Sequence, residues 1–336
     1  MTTVSPLISV VIPVERESPY LFEALEQYSK QSFKRFEVII ASSLPIRQPF
    51  PFVRIIVNTR LRRDVSSKRN VIKEYGKGEI FVFNDDDVYV PHDYLRNVVR
   101  VFQKKSVIAA AGPLLTPSGD SIMQRAGGAV WESYLGSDGI YKSLKKPRRT
   151  VYDYPAANLI VRAEIFKKVG GFIPGVFPGE DTKLCLDILN TYGKGVQYDP
   201  LLFAYHHRKA LFRDHLKQIG RYANQRGWFA ITYPETSFRL QYFLPAALLF
   251  YILTVPVFLL TDTVSPFFVL LPLLIYAIVA AGEGILISVR RGPVIAGIAV
   301  LGIVATHLYY GYCFSKSFIR KIGDRMWSFV RLINRL

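Results

Sequence analysis

Leu7-Ile8-Ser9-Val10-Val11-Ile12-Pro13-Val14 is a β-branched run with a single polar position, the pattern of a strand buried on both faces. Tyr20–Ser29 follows with Leu21, Phe22, Leu25 and Tyr28 at helical spacing. Apolar runs at Phe36–Ala41, Val53–Val57 and Glu79–Phe83 predict further strands. A helix is predicted over Lys68–Tyr75, ended by Gly76-Lys77-Gly78. Pro91–Lys104 places Tyr94, Val98, Val99 and Phe102 on one helical face, and Val107–Gly112 reads as a strand. Residues 113–154, rich in Gly, Ser, Lys and Arg, read as loop-dominated. Thr182–Leu189 is an amphipathic helical stretch, and a last strand is expected around Leu201–Tyr205. Strands alternating with helices predict an α/β fold on a mainly parallel sheet.

The pattern changes after residue 235. Phe243–Leu260 is an uncharged run of 18 residues. A second run, 264–289, carries only Glu283 as a charged residue, and a third, 293–314, carries His307. Each is long enough to cross a bilayer, which takes roughly 17–25 residues. Ser315–Leu336 then carries Lys316, Arg320, Lys321, Arg325, Arg331 and Arg335 against Asp324. Its apolar residues Ile319, Ile322, Met326, Phe329, Val330 and Ile333 recur at helical spacing. That is the pattern of an interfacial helix on anionic headgroups. Three parts are therefore expected: a domain over 1–235, a membrane domain over 236–314, and a basic amphipathic helix over 315–336.

The formal net charge of +17 suits a membrane surface. It does not suit nucleic acid, because the cations form neither a single arm nor a recognition helix. Cys185 and Cys313 lie in different regions, so neither a disulfide framework nor a zinc site is supported. Leu7–Val14 is short, holds Pro13 and runs into Glu15-Arg16-Glu17, so it reads as a strand and not as a signal peptide. The expectation is a cytoplasmic domain on a multi-pass protein of the inner cell membrane. The short acidic loop at Asp262 and the basic Arg290-Arg291 loop agree with that orientation. Three crossings would leave the basic tail on the far side, so either one run is re-entrant or interfacial, the preferred expectation, or the tail lies outside. Glu283 is a candidate functional carboxylate inside the membrane, or a group near a helix end that faces other helices or water.

The candidate chemistry begins at Asn84-Asp85-Asp86-Asp87, directly after a buried strand. Open α/β sheets bind ligands at the carboxyl edge of their strands. Carboxylates spaced i and i+2 can share a divalent cation, and Mg²⁺ typically sits on one or two carboxylates plus substrate phosphates. Glu180-Asp181 opens a helix, where a carboxylate serves either as a cap or as a general base. His206 and His207 could ligate metal or simply close a strand. Gln218, Arg221 and Tyr222 could bind a phosphate or an acceptor, or form an exposed helix face.

Taken in order, these elements resemble the family-2 glycosyltransferases of the GT-A fold. The resemblance covers residues 7 to about 230. It is carried by Val10-Val11-Ile12-Pro13, Ser67-Lys68-Arg69-Asn70, Asp85-Asp86-Asp87, Asn158 with Arg162, Gly170-Gly171-Phe172, Glu180-Asp181, His206-His207-Arg208 and Gln218…Arg221-Tyr222. The late Tyr309-Tyr310-Gly311-Tyr312 is similar to membrane-bound members that build surface polysaccharides. The resemblance implies a nucleotide-sugar donor, a lipid-linked or glycan acceptor, and Mg²⁺ or Mn²⁺. Asp85 and Asp87 would hold the metal and contact the ribose, with Asp86 beside them in the donor site. Asp181 would be the base, with Glu180 as second choice. His206 or His207 would meet the metal or the leaving diphosphate, and Arg69 and Arg221 the diphosphate. Pro13 and Glu15 would line the nucleobase site, and Asn158, Gln218, Arg221 and Tyr222 the acceptor site. One departure is Ala41-Ser42-Ser43, where family members usually place a base-reading Asp. Two alternatives remain: a polyprenyl-phosphate sugar transferase using Lys145, Lys146, Arg148 and Arg149, and a non-catalytic membrane scaffold.

Overall fold

A computed structural model describes residues 6–47, 50–137, 139–261 and 263–333, with side chains up to Met326. Asp262 and Arg335, and the side chains of Phe329, Val330, Arg331 and Ile333, lie outside the described residues. The chain forms two compact units. The first comprises the described residues up to Pro117 together with Tyr141–His207. The second comprises Ser118–Ile140 and the chain from Arg208 onward. The expected boundary at residue 235 therefore falls within the second unit.

The first unit opens with β1 (Ile8–Val14), α1 (Pro19–Ser29), β2 (Phe36–Ser42) and β3 (Val53–Val57). α2 (Val65–Asn70), α3 (Ile72–Tyr75), β4 (Ile80–Asn84), β5 (Val88–Tyr89) and α4 (Tyr94–Phe102) follow. β6 (Ala109–Ala111) and β7 (Leu114–Leu115) lead out of the first unit to α5 (Ile122–Glu132). The chain returns through β8 (Arg149–Val151), β9 (Asn158–Arg162), α6 (Ala163–Lys168), α7 (Glu180–Tyr192), β10 (Val196–Tyr198) and β11 (Ala204–His206).

The main sheet has the order β3-β2-β1-β4-β9-β6-β10-β8. β1, β2, β3 and β4 pair in parallel, as do β6 and β10, whereas β9 is antiparallel to both β4 and β6. All seven residues of β1 are buried. Val10, Ile12 and Val14 point to one core, with Tyr28, Ile40, Val82 and Tyr94. Val11 points to the other, with Ile39, Phe81, Phe83 and Phe166. Fully burying such a side chain contributes roughly 1.5–3 kcal/mol. A three-stranded sheet, β5-β11-β7, adjoins the acidic turn.

Local signals set the element ends. Ser18 caps α1 by accepting from Leu21 N at 3.1 Å, with Pro19 in the first turn. Gly193 ends α7 in the left-handed region at φ 63°. Three expectations are corrected. The loop-dominated reading of 113–154 missed α5, whose Ser121–Gln124 capping box fixes its start. The strand expected over Leu201–Tyr205 starts only at Ala204, because Asp199 and Pro200 impose a 3₁₀ turn over Pro200–Leu202. Lys68–Tyr75 is two short helices instead of one.

The second unit is helical: α5, then α8 (Arg213–Thr232), α9 (Pro234–Ser237), α10 (Leu240–Thr261), α11 (Pro266–Arg291) and α12 (Pro293–Ile333). α10, α11 and α12 are long and apolar enough to cross a membrane. The third run and the basic tail, expected as separate elements, form the single helix α12, because no proline interrupts the junction at Ser315-Lys316-Ser317. α8 packs on α12 through a buried stripe of small residues, Gly220, Ala223, Gly227 and Ala230. A Cβ at Gly227 would lie 2.5 Å from the Phe314 carbonyl oxygen, so only glycine permits this approach.

Candidate active site

In the first unit β1 is flanked by β2 and β4, so the connections diverge on either side of it and open a crevice at the carboxyl edge. The register Val11↔Phe83 puts Asn84 one step further along, and the three aspartates leave the sheet level with Pro13–Glu15. Asn84 itself is structural. It accepts from Tyr28 OH at 2.5 Å and donates to Ala157 O at 2.7 Å, both within the core.

Helix α2 ties the crevice together. Asp64 caps it by accepting from Ser67 N at 3.0 Å. Ser66 Oγ donates to Val176 O at 2.7 Å. Lys68, almost wholly buried, donates to Val14 O at 2.9 Å and to Glu15 Oε2 at 2.5 Å. That ammonium holds the Glu15 carboxyl below its ordinary range. Asn70 donates to Phe172 O at 2.7 Å and accepts from Phe172 N at 2.9 Å. This clamp fixes Gly170 and Gly171, whose φ values of 88° and 82° favour glycine. A Cβ on Gly171 would meet Asn70 Oδ1 at 2.5 Å.

Arg69, only 3% exposed, is the hub. Its Nη2 donates to Asp85 Oδ1 at 2.5 Å and its Nη1 to Glu180 Oε1, while its guanidinium lies over the Phe172 ring. It thus joins the acidic turn after β4 to the first turn of α7. Burial opposes its charge, but Asp85 and Glu180 hold its pKa above the ordinary arginine value. Glu180 Oε2 is buried and has no hydrogen-bond partner among the described residues. Burial, then the charge of Asp181, pushes the Glu180 carboxyl up to about 8, with Arg69 opposing. Asp181 is half-buried and accepts from Ala156 N at 3.1 Å and from Thr182 N at 2.8 Å. Burial, then Asp153, raises its pKa despite Arg69.

The two histidines separate. His206 Nε2 lies 3.2 Å from Asp87 Oδ1. His207 turns to Glu23 at 3.0 Å and stacks on Tyr20 with ring centroids 4.1 Å apart. The His207 backbone meets the acidic turn, donating to Asp87 O at 3.0 Å. As a metal ligand His207 is thus misplaced, because a carboxylate and a ring already hold its imidazole. Among the described residues no group of three or more such side chains is placed to hold a metal ion. A carboxylate oxygen and an imidazole nitrogen facing each other still fit a divalent ion whose remaining positions come from a diphosphate and water.

Asn158 is a further correction. It is fully buried, donating to Gly112 O at 2.6 Å and Leu202 O at 2.7 Å and accepting from Tyr94 OH at 2.6 Å. Its amide joins three segments of the core, with both N–H donors spent on backbone carbonyls. Pro13 is buried in β1, and Asp86 is half-buried. Gln218, Arg221 and Tyr222 lie on α8 in the second unit, with Gln218 donating to Tyr222 OH at 3.1 Å and Arg221 exposed. The four cations considered for a lipid phosphate are largely engaged within the first unit. Lys145 lies 3.7 Å over Phe203, Arg148 donates to Asp199 Oδ2 at 2.7 Å, and Arg149 stacks on Tyr141. Sequence reasoning gave no role to Lys68 or Asp153. The first was visible only as a charge beside Arg69, and the second sat in a stretch without periodicity.

Residues 9–170 match the Glycosyl transferase family 2 model. The chain is 27% identical over 89 residues to the Pre-mycofactocin glycosyltransferase of two Mycobacterium tuberculosis strains. That alignment covers 26% of this chain and 19% of the relatives' length. A mannosyltransferase from Pyrobaculum calidifontis, solved with GDP-Man and Mn²⁺, shares the fold at a TM-score of 0.63 and 16% identity, over 95% of this chain and 89% of the other. The sheet and crevice therefore define a GT-A fold. Residues 9–170 thus carry a family 2 glycosyltransferase domain, and three helices apolar enough to cross a membrane lie in the C-terminal part of the chain.

Proposed function

We propose that this protein moves a sugar from a nucleotide-sugar donor to a lipid-linked or growing glycan acceptor, with inversion, at the cytoplasmic face of the inner cell membrane. The observation that carries this reading is Arg69, which draws the acidic turn and Glu180-Asp181 to one guanidinium. Asp181 is the base: it takes the acceptor hydroxyl proton as the new C–O bond forms at the anomeric carbon. The bond to the diphosphate breaks on the opposite face, so one displacement inverts the centre. A raised carboxyl pKa suits a base working near neutral pH. Asp85 and Glu15 belong to the donor side, with Pro13 and Asp86 near them. Arg69 supplies fixed positive charge where the leaving oxygens become negative.

Asp87 and His206 would hold a divalent metal, Mg²⁺ or Mn²⁺, which supplies Lewis-acid stabilisation of the leaving diphosphate. Gln218, Arg221 and Tyr222 are assigned to the acceptor side. The solved relative's GDP-Man and Mn²⁺ make that pair the first to try. A polyprenyl-phosphate acceptor is less favoured, since Lys145, Arg148 and Arg149 already have partners. The test is release of nucleoside diphosphate from a donor panel by the full chain in lipid, with Mn²⁺ or Mg²⁺ and then with EDTA. Metal-dependent release that Asp181→Asn abolishes supports the reading. Release from no donor, even with crude lipid extract as acceptor, would leave the non-catalytic scaffold in its place.

A further inference from the structure

Asp181 is gripped by a segment of the first unit that carries no motif. In Asp153-Tyr154-Pro155-Ala156, which leads into β9, two groups reach the first turn of α7. Ala156 N donates to Asp181 Oδ2 at 3.1 Å. Asp153 Oδ1 accepts from Thr182 Oγ1 at 2.9 Å. The buried Thr182 in turn gives its backbone N–H to Asp181 Oδ1 at 2.8 Å. Both oxygens of the Asp181 carboxylate are thus held by this segment and by the residue it ties down. The segment is stiff. Tyr154 is fully buried, and its hydroxyl donates to Gly112 O at 2.7 Å. Pro155 has a fixed φ, and its carbonyl accepts from Asn158 N at 3.2 Å. Asp153 is itself largely shielded from solvent, with Lys142 Nζ 3.7 Å from its Oδ2. It is paired and hydrogen-bonded, as a shielded charge must be.

The charges around Asp181 give this second carboxylate a use. Arg69 faces it from α2, with Asp85 on the far side of the guanidinium. Glu180 precedes it on α7, and Cys185 follows one turn later. Asp153 and Lys142 lie behind Thr182. Arg69 suits the leaving diphosphate, but the same positive charge weakens a neighbouring base. A base that works near neutral pH must keep its affinity for the proton. Burial and then Asp153 push the Asp181 carboxyl up, against Arg69. Burial and then Asp153 push up the Cys185 thiol as well.

We propose that Asp153 is a positioning residue for the sugar transfer: through Thr182 it orients the Asp181 carboxylate, and it sets behind it a negative charge that offsets Arg69. It acts through Asp181 and takes no proton from the acceptor itself. Arg69 can then serve the leaving group without disabling the base beside it. The inference rests on Asp181 as the base proposed above, and every residue it uses belongs to the first unit.

The test uses the full chain in lipid, labelled with carboxyl-¹³C aspartate, and its first arm needs no donor. The label moves the C=O bands of aspartic acids clear of Glu180. Subtracting the infrared spectrum of the same chain with Asp181→Asn isolates the Asp181 band, and its pH midpoint is read. Asp153→Asn is isosteric and can still accept from Thr182, so it removes mainly the charge. Its midpoint is expected at lower pH than that of the wild type. Asp153→Glu keeps the charge and should keep the wild-type midpoint. A merely structural role would lower stability and leave the midpoint in place. An unmoved midpoint in Asp153→Asn, or an equal fall in Asp153→Glu, would overturn the proposal. The second arm is turnover of GDP-Man with Mn²⁺. Asp153→Asn should lower kcat/KM about tenfold at neutral pH and carry the acid limb to lower pH. Full activity in Asp181→Asn would remove the base and the role of Asp153 with it. Activity lost there beside an unmoved midpoint in Asp153→Asn would remove Asp153 alone.

Discussion

Two arginine–glutamate pairs, one in each unit and each with a buried glutamate, use the same side chains to different ends. Arg69 is shared between Asp85 and Glu180, and Asp181 adds further negative charge. Acids outnumber the base, one Glu180 oxygen has no partner among the described residues, and both α7 carboxyls are pushed up. Arg291 in the second unit instead gives Nε and Nη2 to the single carboxylate of Glu132, at 3.1 and 2.6 Å. That pair is balanced and bidentate, and it braces α5 against α11. Nearby, Glu283 accepts from Tyr134 N at 3.1 Å and His307 lies 2.7 Å from Leu135 O, so the turn after α5 is held by polar groups of α11 and α12. An excess of one charge sign around a buried partner marks a poised site, whereas a closed pair marks a brace.

The largest effect that sharpens this contrast is Asp181→Asn. We expect turnover to fall about 10³-fold, within the usual range for losing a general base, with donor affinity largely kept. Steady-state rates beside nucleotide binding by calorimetry would check it; unchanged turnover would remove Asp181 from the base role. Next come the two arginines. Arg69→Met and Arg291→Met should each cost about 3 kcal/mol of stability, since each leaves a buried carboxylate uncompensated. Only Arg69→Met should also abolish activity. Adding Glu132→Leu to Arg291→Met should recover most of the lost stability, read from thermal unfolding in detergent.

The pH dependence separates the pairs further. Glu180 rises from 4.5 to about 8 on folding, so between those values the folded state holds the extra proton. Its contribution is therefore complete below about pH 4.5 and is lost as pH rises through about 8. Glu180→Gln should flatten that decline. The acid limb of kcat/KM should lie above the range of a free aspartate, because Asp181 works only when deprotonated. The smallest effect expected is that of Asn158→Ala, about 1–3 kcal/mol of stability from unmet buried groups, with the acceptor KM unchanged. A raised KM would return Asn158 to the acceptor site.

Much of the first unit was legible in the sequence. β-branched runs at Leu7–Val14 and Phe36–Ala41 and an acidic turn after an apolar strand are local patterns, and local patterns survive folding. The motif Ser67-Lys68-Arg69-Asn70 was visible, but its use of nearly every side chain as a clamp was not, because those partners lie up to 111 residues away. Asn158 misled for the same reason. An asparagine reads alike whether it meets a ligand or three buried partners of the core. His206 and His207 are neighbours in sequence, but successive residues of an extended segment point to opposite sides, so one faces Asp87 and the other Glu23.

By itself the sequence determined the alternation of strands and helices, the carboxylates at a sheet edge and the three long apolar runs, because period, composition and length are properties of the chain. Tertiary structure decided which carboxylates share a cation, which histidine faces the acidic turn, and that the third apolar run continues into the basic tail beside α8. Those outcomes depend on which distant surfaces meet, and charge and burial take their energetic meaning only from the neighbours so acquired.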